Sequence, residues 1–115
     1  MRNTDEWRRP FDICGFHFIS ILQAEVVYMF LNYHGNIKLI ANKMGNTNRI
    51  AIDAKLGRFR RDNDIENSVH MAIRLVQKTG FWAELHGYLE QHRDQLKMAK
   101  RRAEQGRQAL IKRRK

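Results

Sequence analysis

The densest run of chemistry-bearing side chains in this 115-residue sequence is the stretch 35–56, GNIKLIANKMGNTNRIAIDAKL. Asn46, Thr47, Asn48, Arg49, Asp53 and Lys55 offer amide, hydroxyl, carboxylate and cationic groups within ten positions. Such groups hydrogen-bond to base edges and to phosphate oxygens. A second run, Lys97, Lys100, Arg101, Arg102, Arg107, Lys112, Arg113, Arg114 and Lys115, is almost purely cationic. Neutralising phosphates releases condensed counterions, so this run points to a polyanion.

Catalytic and metal chemistry have no comparable support. His17, His34, His70, His86 and His92 lack metal-ligand spacing, and His86 and His92 are six apart on different helix faces. Ser20 and Ser68 have no accompanying His and Asp arrangement. Cys14 is the single cysteine, so neither an internal disulfide nor a cysteine-based zinc site can form in one chain. The sequence therefore reads as a non-enzyme without cofactor or metal, in a reducing cytoplasm.

Composition and charge set the frame for these runs. The chain has 22 Lys and Arg against 12 Asp and Glu, a formal net charge of +10, and 43% hydrophobic residues. Residues 1–92 hold 12 basic and 10 acidic side chains, whereas residues 93–115 hold 10 basic and 2 acidic. The last fifth is thus a separate electrostatic object. With one proline and seven glycines, a turn-rich β architecture is disfavoured and mostly helix is expected. The longest apolar stretch, 16–30, is interrupted by His17, Ser20, Gln23 and Glu25, too polar to span a bilayer.

Three- and four-residue apolar spacing predicts a first helix over about 15–33, through Phe18, Ile19, Leu22, Val26, Met29 and Phe30, closed by Gly35. Asn36 caps a short helix, 37–44, and Gly45-Asn46-Thr47 makes a turn. A third helix follows from Asn48 to about Arg60, with Ile52, Leu56 and Phe59 inward. Asp64 caps a fourth, burying Ile65, Val69, Ala72, Ile73 and Val76, and Thr79-Gly80 ends it. A final helix runs from Phe81 towards the C-terminus along a seam of Trp82, Leu85, Leu89, His92, Leu96, Ala99, Ala103, Gly106 and Leu110. Trp82 is expected as a core or dimer anchor, and Trp7-Arg8-Arg9-Pro10 as an N-terminal arm.

Short helix, glycine turn and polar-edged second helix form the helix-turn-helix layout. Ala41 is small where the two helices cross, Gly45 permits the tight turn, and Ile40, Met44, Ile52 and Leu56 lock the angle. At Gly35, Asn36, Ala41, Met44, Gly45, Asn48, Arg49, Ile52 and Leu56 the sequence resembles the Fis-type helix-turn-helix, over residues 24–60, about a third of the chain. That resemblance implies a dimeric DNA binder in which Asn48 and Arg49 approach bases while Lys55 and Arg58 approach phosphates.

The sequence thus predicts an all-α chain: a helical domain, 1–92, of about five helices containing a helix-turn-helix at 36–60, then a basic C-terminal helix, 93–115. The expected function is sequence-specific DNA binding in transcriptional or nucleoid regulation of bacterial or phage type. Asn46, Thr47, Asn48 and Arg49 face the duplex, and Lys38, Lys43, Lys55, Arg58, Lys97, Lys100, Arg101, Arg102, Arg107 and Arg113 add contacts to nucleic acid. Two alternatives stand beside it. The arginine-rich helix resembles those that phage antitermination proteins insert into RNA hairpins, and the basic helix also suits a small phage protein that inhibits a host protein. The expected partner is DNA, alternatively RNA, bound by a cytoplasmic, nucleoid-associated homodimer without membrane contact.

Overall fold

The computed structural model describes residues 9–44 and 48–113, and for 107–113 the helical backbone alone. The chain begins with a hairpin of two three-residue strands, β1 (Phe11–Ile13) and β2 (Phe16–Phe18), paired antiparallel with Phe11 opposite Phe18 and Ile13 opposite Phe16. Cys14 and Gly15 link them, both at positive φ (52° and 85°), the pattern of the two-residue turn that matches strand twist. Here the structure corrects the expected helix start: Gly15 is in the turn, 16–18 is a strand, and the first helix begins only at Ile21. Phe11-Asp12-Ile13 and Phe16-His17-Phe18 alternate with period two, so one face of the ribbon carries the apolar side chains inward.

Six helices follow the hairpin: α1 (Ile21–Asn32), α2 (Ile37–Lys43), α3 (Arg49–Asp62), α4 (Ser68–Gln77), α5 (Phe81–Gln91) and α6 (Arg93–Arg113). The chain is mostly helical, as expected, with only the small sheet added. Ser20 starts α1 by accepting a hydrogen bond from the Gln23 N–H. At its end His34 and then Gly35 take positive φ (54° and 76°), and the Gly35 N–H donates to the Phe30 carbonyl at 2.9 Å. The closure thus begins one residue before the expected glycine. A Cβ on Gly35 would sit 3.2 Å from the Phe30 ring, which favours glycine there on space as well as conformation.

The core joins Val26, Val27 and Phe30 of α1, Ile40 of α2, Ile52, Leu56 and Phe59 of α3, and Phe81, Leu85 and Leu89 of α5. Phe16 and Phe18 enter it from the hairpin and pack against Phe59 and Phe81 at 5.0–6.3 Å between centroids. Two amides lock the hairpin and α1 to α3. Asn63, the residue after α3, accepts from the His17 N–H at 2.7 Å and donates to the His17 carbonyl at 3.0 Å, reproducing a strand ladder with a side chain. Gln23, fully buried, accepts from the Ile19 N–H at 2.8 Å and donates to the Lys55 carbonyl at 3.1 Å.

The fourth and fifth expected helices need correction. Asn67, not Asp64, caps α4 by accepting from the His70 N–H, and Asp64 instead takes positive φ in the loop. α4 buries Met71 and Leu75, with Ala72 half-buried, while Val69, Ile73 and Val76 are 70%, 49% and 76% exposed. The loop decides this phase: Ile65 is buried as expected, and Arg74 donates to the Asn63 carbonyl at 2.8 Å with its guanidinium over the Phe16 ring. Those anchors turn Met71 and Leu75 towards the core. The expected continuous final helix is interrupted at His92, whose ring nitrogen hydrogen-bonds to the Tyr88 carbonyl at 2.8 Å while the rings stack at 4.1 Å. A side chain competing for a ladder carbonyl is a recognised cause of helix breaks. Among the described residues no helix is long and apolar enough to cross a membrane.

Candidate nucleic-acid interface

Each helix of the α2–α3 pair starts at an asparagine cap, the first expected from the sequence and the second not. Asn36 caps α2 through its side-chain oxygen to the Leu39 N–H at 3.0 Å, and Asn48 caps α3 through the Ala51 N–H at 2.7 Å. Ile40 is fully buried, and Ala41 and Met44 are half-buried against the core that holds Ile52 and Leu56. Gly45, Asn46 and Thr47, the turn itself and two of the expected contact residues, lie outside the described residues, as do Trp7 and Arg8 of the arm. α1 packs on both α2 and α3, so the pair stands on a third helix.

Helical periodicity then sorts the side chains of α3. Ile52, Leu56 and Phe59 point inward, so Ile50, Ala54, Gly57 and Arg61 lie on the opposite edge, with Arg49 and Asp53 to one side and Arg58 to the other. Arg49, Asp53, Ala54, Arg58 and Arg61 are exposed, and Ile50 is 80% exposed. Sequence reasoning passed over Ile50 and Arg61; the inward triad, extended by one turn, was the signal that places them outward. Arg58 is tied to Asp62 by a 2.9 Å bond from its Nε, an i,i+4 pair that also carries the helix two residues past its expected end. Lys38 and Lys43 are exposed on α2.

Capping constrains what Asn48 can do. Its side-chain oxygen accepts from the Ala51 N–H, so the two-sided contact an asparagine makes to adenine would compete with the cap of α3. Arg49, exposed and first in the helix, has no such commitment to the cap.

Lys55 is placed differently from the outward role the resemblance implies. It is half-buried and lines a groove of about 440 Å³ between α3 and α6, together with Asn48, Lys100 and Arg101. The structure therefore brings together residues from the two runs that the sequence held apart. α6 lies along α1 through fully buried Ala99 and half-buried Leu96, and Lys100 Nζ meets the buried Glu25 carboxylate at 2.6 Å. Lys97, Arg101 and Arg102 are exposed, Arg101 at the edge of the groove. Arg107 and Arg113 continue α6, with side chains outside the described residues.

Trp82 is about half-exposed, stacked on His86 and close to the Tyr28 ring, with its Nε1 donating to Asn32 at 3.0 Å. It pins α5 to α1 at the surface instead of filling the core. No protein-family model, curated protein or solved structure matches this chain.

Proposed function

We propose that this chain is a helix-turn-helix DNA-binding regulator of the Fis type, which places the outer edge of α3 in the major groove and uses cations of α2 and α6 on the phosphates. The observation that carries the reading is the exposed edge of α3, Arg49 to Arg61, on a helix capped by Asn48 and seated on α1 and α2. An α-helix fits the major groove, where each base pair presents a distinct pattern of donors and acceptors. Arg49 is the base reader of choice, since its guanidinium matches the paired acceptors of guanine. Ile50 beside it suits the thymine methyl. Exposed Lys38 and Lys43 flank the same pair of helices and serve the backbone, which sets register without reading sequence.

Two copies on half-sites one helical turn apart, about 34 Å, would make the target palindromic. Random-site selection on duplex DNA with the full chain is expected to enrich such a sequence. Arg49→Ala is expected to lose discrimination between selected and scrambled duplexes by about tenfold, while changing affinity for the scrambled duplex little. Equal loss on both would remove Arg49 from base readout. A structured RNA hairpin outcompeting the selected duplex at fixed salt would transfer the function to the arginine-rich helix.

A further inference from the structure

We infer that the groove between α3 and α6 is a binding site for a small organic monoanion with an apolar body, such as an aromatic or medium-chain carboxylate. Its volume, about 440 Å³, falls in the range of small-molecule pockets, which are mostly apolar with a few placed polar groups. The floor fits that description: Leu22 of α1, Met44, Ala51 of α3 and Ala103 of α6 supply apolar surface at the junction of three helices, above the fully buried Val26. Alanine on each facing helix leaves the space open, because neither side chain reaches across.

The charge lining the groove selects the ligand's sign and number. Lys55, Lys100 and Arg101 bring three cations to it. Lys100 is neutralised and held in place by Glu25, whose side chain is 9% exposed. Glu104 on the same wall offsets one of the remaining two. One net positive charge is left beside an apolar floor, which suits a single carboxylate joined to a ring or chain and disfavours a polyphosphate. Lys55 lines the groove from α3 and Arg101 from α6, so a carboxylate held by both would gain charge-assisted bonds from two helices while its body covers the floor. The inference rests on the groove alone and stands whether or not α3 reads DNA.

The test is titration of the full chain with 2-naphthoate, followed by calorimetry and by amide chemical shifts. One-to-one saturation is expected, with shifts centred on Val26, Ala51 and Ala103. The neutral analogue 2-naphthol and inorganic phosphate are each expected to bind at least about tenfold more weakly, the first for want of charge and the second for want of apolar surface. Lys55→Met and Ala103→Leu are each expected to weaken 2-naphthoate by about tenfold with unchanged helical circular dichroism, the first by removing a cation and the second by filling the groove. Lys97→Met, on an exposed face of the same helix, is expected to leave it unchanged. Absence of saturable binding, equal affinity for 2-naphthol or phosphate, or equal weakening by Lys97→Met would overturn the assignment. The duplex selection described above reads out α3 separately, so failure of one does not count against the other.

Discussion

Gln23 ties the start of α1 to α3. A polar side chain with no exposed surface is tolerated in a core only when its hydrogen bonds are made, and Gln23 makes them to the Ile19 N–H and the Lys55 carbonyl. Gln23→Leu keeps the volume but orphans the Ile19 N–H, so a loss of about 1–3 kcal/mol is expected, read as a lower urea midpoint with an unchanged slope. Glu25 is a harsher case. One of its oxygens takes Lys100 Nζ, and the other is buried with no hydrogen-bond partner among the described residues. Lys100→Met should therefore cost about 2 kcal/mol, below the ~3–5 of a fully buried pair because Lys100 is 44% exposed. Adding Glu25→Gln to that variant is expected to recover most of the loss, as the double-mutant cycle in chemical denaturation will report.

At the scale of elements, α4 shows how little an apolar count says about helix phase. Val69, Ile73 and Val76 form a stripe at four- and three-residue steps, but Met71 and Leu75, one four-residue step apart, form a second one behind the buried loop residue Ile65. The stripe that wins is the one the loop aims inward, and Arg74 fixes that aim through the Asn63 carbonyl and the Phe16 ring. Met71→Ala is expected to destabilise the fold by about 2–5 kcal/mol, as for large-to-small changes in a packed core. Ile73→Ala, by contrast, should stay within about 0.5 kcal/mol for the monomer. Thermal unfolding of the two at low protein concentration separates these outcomes, and a reversed order would restore the other face. The break at His92 has a comparable consequence: it turns α6 onto α1, where a straight continuation of α5 would carry the cations past the domain.

For the whole molecule, the placement of α6 changes how its charge is to be tested. Deleting 97–115 would remove Ala99 from the core and strip Glu25 of its cation along with the positive charge. Replacing exposed Lys97, Arg101 and Arg102 by glutamine leaves those contacts intact. On the DNA-binding reading this triple variant is expected to weaken all duplex sequences alike, and to flatten the dependence of log affinity on log salt by up to about 2.7, roughly 0.9 for each cation that meets phosphate. A slope unchanged from the parent chain would place these cations away from the phosphates. A loss confined to one sequence would make them readers instead.

What the sequence by itself determined is local and short-range. The cap Asn36, the inward triad Ile52, Leu56 and Phe59, the end of α4 before Gly80 and the seam through Leu85, Leu89 and Ala99 are legible because each depends on a side chain and its own helix turn, whereas Asn48, expected as the first residue of its helix, proves to be its cap. Exposed Lys38, Lys43, Arg49, Arg101 and Arg102 follow from the same periodicity, since a charge opposite an apolar stripe has nowhere else to go. Tertiary structure alone decided the hairpin, the phase of α4, the half-burial of Lys55 and the groove that α3 and α6 share. Each of these depends on groups far apart in the chain, such as Asn63 with His17, Gln23 with Lys55 and Glu25 with Lys100. Their pairing follows from desolvation, because a polar group carried into the interior must find its partner there, and no spacing along the sequence names it.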